Sequence, residues 1–582
     1  MRLSWLSLAL VLGFETTHPL HAELSLPSFF SDGMVLQRDR DVAIWGKADA
    51  RVEVTVSFKG QTATSKASND GSWRVVIPTG AADSNGARIS VTAADQTLAI
   101  ADVLVGEVWF ASGQSNMVFT MDRTEAYAEL VKATNLPGLR FFNAPLVTAV
   151  EPQEDIAGTW IAATPETLPG CSAVAFFFAR KLHLDLGIPV GVIKSAWGGK
   201  PVETFTSREA LNTLPGTKAL VDTLLAEDEV YDHPTATAAY EKRLADWLAA
   251  LKASTGKPDG ERRRRGKKPT APKRPLDTEG RPGVLYNAMI HPFTGYTMRG
   301  AIWYQGEGNA RPGAVPYDQT LPLMIRDWRE RWQDEFSFYY VQLANFRAPS
   351  AAPGTPDPWA LLQDRMRLVL STTPKTGMAI INDTGEVGDI HPKNKKDPGE
   401  RLALWALAKD YGKDLVACSG PLYRNAEVKE GAIRVTFDQA GKGLKSREGG
   451  ELKRFEIAGE DQVWHWADAK IDGADAVIVS SGSVANPVAV RYAWASNPDG
   501  ANLVNSEGLP ASVFRTDGWK DAESVPLDPA AEAAAARRAL GVKIRELAAK
   551  RDALEKGTEE WSQISAEMRP LMSQLKATAP KP

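Results

Sequence analysis

The segment Gly113-Gln114-Ser115-Asn116-Met117 follows directly on Glu107–Ala111, a short apolar run that predicts a strand. A serine in that place sits on a turn at the strand's carboxyl end, with its hydroxyl exposed. A free serine is a poor nucleophile. It needs a base to take its proton and donors to hold the oxyanion that forms at an attacked carbonyl. Gly-x-Ser turns occur in many loops, so the base must be found independently.

Elimination points to one histidine of the seven in the chain. His18 and His21 belong to the N-terminal leader described below. His183 lies in a helical stretch of apolar and basic residues, and His233 falls in an insertion. His465 belongs to a C-terminal β-region, and His291, before Pro292, fits a core or loop role. His391 stands in Gly388-Asp389-Ile390-His391-Pro392, just after the strand-like Met378–Ile381. It alone combines a strand-end position with a neighbouring carboxylate. Asp389 is placed to accept its second N–H and fix the tautomer. The plainer alternative is an Asx-type turn carrying a solvated histidine.

Two further strand ends offer donors. Trp197-Gly198-Gly199 follows Val190–Lys194, and glycine lets a backbone N–H approach a tetrahedral intermediate closely. Gln305-Gly306-Glu307-Gly308-Asn309 follows Ala301–Tyr304. Gln305 carries an amide donor, and Glu307 is a second carboxylate. Four sequence-distant loops, each ending a strand of one sheet, thus supply nucleophile, donors and base.

These loops need a frame. Strand candidates at 107–111, 190–194, 301–304, 338–343 and 378–381 alternate with helix candidates at 172–186, 321–332, 359–370 and 399–411. Such alternation argues for an α/β fold, a three-layer parallel sheet with helices on both faces and its site beyond the strands' carboxyl ends. Residues 23–105 read as an N-terminal β domain, with Val52, Val54, Val56 and Phe58 alternating and Asn69-Asp70-Gly71 as a hairpin turn. Residues 106–420 form the catalytic domain and 421–525 a C-terminal β domain; both β domains are sandwich-like. Residues 526–582 form a helical tail. There Leu540, Leu547, Leu554, Trp561, Met568 and Leu575 recur every seventh position, a seam for self-association or for docking on the body. Gly557 and Pro570 are expected to break it.

The insertion at 225–283 starts with a helical stretch, Tyr240 to Leu251. It continues into a basic, proline-rich segment holding Arg262-Arg263-Arg264-Arg265. A partly disordered, solvated loop is the plain reading; a contact to acidic polysaccharide or a membrane surface is the sharper one. Residues 1–22 read as a secretory signal peptide, with Arg2 before the apolar Leu3 to Phe14. At 582 residues the chain implies three or four units, and its formal net charge of −4 offers no general attraction for nucleic acid. With only Cys171 and Cys418, two buried free thiols are expected and a structural zinc site is not.

At these residues the chain resembles the sialate O-acetylesterase family, carbohydrate acetylesterases of the SGNH-hydrolase superfamily. The resemblance runs from about Leu24 to Trp519. It is carried by Gly106–Met117, Gly191–Thr204, Leu285–Asn309, Asp389–Arg401, Val490–Trp494 and Gly508–Trp519. It implies an SGNH-hydrolase-like fold and a secreted, periplasmic or extracellular serine esterase. Such an enzyme removes O-acetyl groups from carbohydrates through an acetyl-serine, with no metal or cofactor and no stable membrane insertion. Ser115 corresponds to the nucleophile and His391 to the base. Ser115's own N–H, the Gly199 N–H and the Gln305 side chain would be oxyanion donors, and Gln114 and Asn309 would bind substrate. The acid is Asp389, nearer in sequence, or alternatively Glu307. Gly308 stands where the family usually has serine or alanine, and Ala288 replaces a common glycine. Two rival readings are a lipid ester or thioester hydrolase of the same superfamily and a non-catalytic glycan-binding protein using the 17 tryptophans as sugar platforms.

Overall fold

The computed structural model describes residues 23–253, 267–519 apart from 312 and 351, and, with gaps, 544–577. The expected signal peptide, the four-arginine run and Leu540 lie outside the described residues.

The first half of the chain supplies β1 (Val35–Gln37), β2 (Asp41–Lys47), β3 (Glu53–Phe58), β4 (Gln61–Lys66), β5 (Ser72–Pro78), β6 (Asp83–Ala93), β7 (Gln96–Gly113), β8 (Leu136–Asn143), β9 (Trp160–Ala163) and β10 (Val190–Ala196). The central sheet is completed by β11 (Gly300–Tyr304), β12 (Ser337–Val341) and β13 (Thr376–Ala379). Its order is β13-β12-β11-β7-β10-β8-β9. The first six run parallel, and β9 pairs antiparallel with β8 at the edge. The sheet is therefore mixed rather than purely parallel. The expected α/β alternation holds for the parallel strands, and helices Ala173–Leu186, Tyr317–Trp332, Pro358–Thr372 and Lys396–Lys409 connect or cover them.

β3 shows why the N-terminal region folds as it does. Val54, Val56 and Phe58 are buried and alternate with half-exposed positions, so one face packs and the other meets solvent. The strand that closes this region does not stop at 105. Over 18 residues β7 pairs antiparallel with β6 at its start and parallel with β10 and β11 at its end. Trp109 and Phe110 on its second half are buried in the same continuous core as Val54 and Val56.

The C-terminal region has a separate core. One four-stranded sheet holds Leu422–Lys429, Ala432–Asp438, Ala476–Ser480 and Asp468–Asp472; another holds Trp464–Trp466, Phe455–Ala458, Ala489–Tyr492 and Phe514–Arg515. Phe437, Phe455, Val477, Tyr492 and Phe514 share one buried cluster. The basic insertion leaves and returns through helices Pro215–Glu229 and His233–Ala253. Its return limb is fixed where Arg274 Nε and Nη2 donate to Asp228 at 2.9 and 2.6 Å. In the tail, helix Glu559–Ala577 continues through Pro570, contrary to the break expected there. The proline removes one backbone hydrogen bond and does not end the helix. Met568 on its seam is buried.

Candidate active site

The end of β7 is shaped by a glycine that nothing else can replace. Gly113 has φ of +136°, and a Cβ there would lie 2.2 Å from the Tyr304 carbonyl oxygen. Without a side chain, the Gln114 N–H donates to that carbonyl at 2.9 Å, and the Trp197 N–H donates to the Gly113 carbonyl at 3.1 Å. The ends of β7, β10 and β11 are thereby tied together, and the chain turns into the one-turn helix Ser115–Val118. Gly113→Ala is expected to cost about 2–4 kcal/mol, from steric overlap and backbone strain together. Chemical denaturation measures this; a loss under about 1 kcal/mol would contradict the account.

Ser115 opens that helix, half-buried. His391 reaches it from the loop beyond β13, and its Nε2 lies 2.8 Å from Ser115 Oγ. On the other side of the ring, Nδ1 lies 3.1 Å from Asp389 Oδ1. The same carboxylate oxygen accepts the His391 backbone N–H at 2.9 Å, which fixes a tight local turn. This arrangement suits the tautomer with the proton on Nδ1 and the lone pair of Nε2 facing the serine hydroxyl. The backbone N–H of His391, and then its ring, hold the Asp389 carboxyl below the usual carboxylate range.

Glu307 occupies a different place. Its Oε1 accepts from Asn116 Nδ2 at 2.5 Å, and Oε2 is buried with no hydrogen-bond partner among the described residues. Burial raises its pKa. Its hydrogen bond thus goes to the residue after the serine, not to the imidazole.

The glycine loop after β10 lies close against the serine turn. A Cβ at Gly198 would sit 3.2 Å from Ser115 Cβ. Gly199 adopts φ of +69°. The backbone N–H groups of Ser115 and Gly199 have no acceptor among the described residues. Gln305 differs from expectation. Fully buried, its Nε2 donates to Asn309 Oδ1 at 2.8 Å and to the Lys200 carbonyl at 3.1 Å, and its Oε1 accepts from the Tyr317 hydroxyl at 2.7 Å. Both amide hydrogens are therefore engaged in holding the loop.

Gln114 and Asn309, expected to bind substrate, also face inward. Gln114 Oε1 accepts the Gly308 N–H at 3.2 Å. Asn309 accepts the Val202 N–H at 3.0 Å and donates to the buried Glu203 at 3.0 Å. Both side chains are buried and build the loops that flank the serine. A Cβ at Gly308 would lie 3.2 Å from the Lys200 carbonyl carbon, so this glycine permits close approach of the two loops. Three polar residues of the site were not assigned roles by sequence: Asn116, Glu203 and Lys395. Asn116 stood within the serine motif, and Lys395 was hidden in a lysine-rich run that reads as solvated.

No family model matches the chain. Among curated proteins, sialate O-acetylesterase of Rattus norvegicus is 30% identical over 533 residues, which cover 84% of this chain and 93% of the relative. The chain belongs to the sialate O-acetylesterase family. It is, with that family, a carboxylic ester hydrolase. The human sialate O-acetylesterase is 29% identical over 514 residues, covering 81% of this esterase and 87% of the relative. Among solved structures, a carbohydrate acetylesterase from Xanthomonas citri superposes with a TM-score of 0.71 at 37% identity, covering 85% of this esterase and all of that chain.

Proposed function

We propose that this esterase is a secreted, SGNH-type serine hydrolase that removes O-acetyl groups from carbohydrates through an acetyl-serine intermediate. The observation that carries the reading is the line from Asp389 through His391 to Ser115, with contacts of 3.1 and 2.8 Å. The names of its relatives supply the substrate class, an acetylated sugar. His391 takes the Ser115 proton as Oγ attacks the acetyl carbon. The oxyanion is held by the Ser115 and Gly199 N–H groups, with Gln305 shaping the loop beside them. The imidazolium returns its proton to the departing sugar oxygen. Water, deprotonated by the same histidine, then releases acetate and restores Ser115. Asp389 stabilises the imidazolium throughout; Glu307 acts on the serine turn through Asn116.

Secretion is supported by the leader at residues 1–22. Among the described residues no helix is long and apolar enough to cross a membrane. The domain limits near 420 and 525 are part of this proposal, as is self-association through the tail helices; the expected limit near 105 is crossed by β7 and by one continuous core. The deciding experiment is acetate release measured over a panel of acetylated glycans. Release from none of them, with activity on long-chain acyl esters instead, would reject the carbohydrate assignment.

Activity should fall on acidification, because a protonated imidazole has no lone pair for the serine proton. Asp389 stays anionic through that fall, since its carboxyl titrates below the ordinary range. A rate independent of pH on the acid side, with chemistry rate-limiting, would count against the histidine base. Chelators should leave the rate unchanged; a loss that zinc restores would reject this mechanism.

A further inference from the structure

A buried cation lies beside the serine and histidine without touching either. Lys395 precedes helix Lys396–Lys409 and is 1% exposed. Its Nζ donates to Asn116 Oδ1 at 2.7 Å and to the Pro392 carbonyl at 2.5 Å. The rings of Phe119 and Tyr304 lie 4.5 and 5.7 Å from it. An ammonium is costly to bury unless it is paired and hydrogen-bonded. Retaining one here, where a neutral side chain would avoid that cost, needs a reason.

The reason lies in what Asn116 does with its other end. Asn116 Nδ2 donates to Glu307 Oε1 at 2.5 Å and to the Ile390 carbonyl at 3.1 Å. One amide is thus gripped by an ammonium on its oxygen and a carboxylate on its nitrogen. It cannot turn over without facing like poles to both. Ile390 and Pro392 flank His391, and both of their carbonyls are held, one by Asn116 and one by Lys395. This matters because the side chains of His391 and Asp389 are themselves 29% and 50% exposed. The other ties of the loop, such as Arg347 N–H to the Val387 carbonyl at 3.2 Å and Lys393 N–H to Glu386 at 2.9 Å, do not reach the residues on either side of His391.

We infer that Lys395 is a positioning residue that works in its ammonium form: with Asn116 and Glu307 it clamps both neighbours of His391 to the serine turn and so sets the Nε2 to Oγ distance. The inference rests on the esterase reading of Ser115 and His391. Four charged groups act on Lys395: Glu307, Asp389 and Glu386 favour its charge, and Arg123 opposes it. Burial dominates and brings its pKa down to about 7. Deprotonation leaves Glu307 without its counter-charge, and the clamp loosens. The wild-type kcat should therefore decline on the alkaline side as well as the acid side.

The test is steady-state kinetics on an activated acetyl ester across pH, with Ser115→Ala as a control. Lys395→Met should lower kcat about 30-fold or more, since misplacement by ~1 Å costs on the order of 100-fold. KM should stay within about threefold, the acid limb should remain and the alkaline limb should vanish. Lys395→Arg, which keeps the charge, should recover part of kcat. A kcat within about threefold of wild type, a rise in KM alone, or an unchanged alkaline limb would overturn the inference. If Lys395→Met does not fold, the Glu307→Gln, Lys395→Met double variant removes both buried charges together and takes its place. Failure of both to fold would make Lys395 a stability residue and overturn the inference as well. An inactive Ser115→Ala beside a normal Lys395→Met rejects the clamp alone; an active Ser115→Ala rejects the esterase site beneath it.

Discussion

Ser115→Ala is expected to lower acetate release from an activated acetyl ester by about ten-thousand-fold or more, with the protein still folded. The size follows from what alanine removes. In the proposed mechanism every covalent step runs through Oγ, the hydroxyl that lies 2.8 Å from His391 Nε2. The fold should survive because the serine side chain is half-buried at a helix start and, among the described residues, hydrogen-bonds through Oγ to His391. Residual activity should come from the backbone N–H groups at Ser115 and Gly199, which the variant keeps. Pre-steady-state measurement adds a second readout: the burst of leaving group that marks acetyl-serine accumulation should disappear. Turnover within about tenfold of wild type in a folded variant would end the serine mechanism.

Asp389→Asn should have the next largest effect, a fall in kcat of about 100- to 1,000-fold. An asparagine can present its N–H to Nδ1, which then accepts, and the proton moves to Nε2. The ring then points a proton at the serine it should deprotonate. The effect is set below that of a fully buried triad acid because the Asp389 side chain is 50% exposed, and water can partly take its role. Glu307→Gln should cost less. Gln can still accept from Asn116, and what is lost is the charge facing Lys395. Parallel kinetics of the two variants test this order: if Glu307→Gln is the more damaging, Asp389 is a turn residue and the Glu307–Asn116 contact outweighs it.

Much of the frame could be read in advance, for definite reasons. Helix Ala173–Leu186 announces itself by the apolar run Ala173–Ala179, with Ser172 as N-cap and Gly187, at φ of +70°, closing it. The strands Val190–Ala196 and Gly300–Tyr304 are buried on both faces and are read from the short apolar runs Val190–Ile193 and Ala301–Tyr304. The pair Leu136–Asn143 and Trp160–Ala163 escaped notice. Pro137 and Gly138 interrupt the first, and the second is four residues at a sheet edge. In the site, residues facing one another along a short stretch were legible, as with Asp389 and His391. Side chains whose partners lie far along the chain were not. Gln114, Gln305 and Asn309 carry the polarity of ligand-binding groups, and only the folded chain reveals that they bind each other. Lys395 sits among Lys393 and Lys396, and no local pattern distinguishes the one that is buried.

Gly106 gives β7 its misleading appearance of ending. In sequence it reads as punctuation. In the fold it is mid-strand, and a Cβ there would lie 2.2 Å from the Pro189 carbonyl oxygen. The glycine is a point of contact between chains of atoms, not a hinge between modules. It follows that the N-terminal β-region is no accessory to be swapped, trimmed or grafted at residue 105. A cut there would sever the strand whose far end leads into the Ser115 turn. Any transplant of this catalytic unit onto another scaffold has to carry the whole of that strand and the partners that align it.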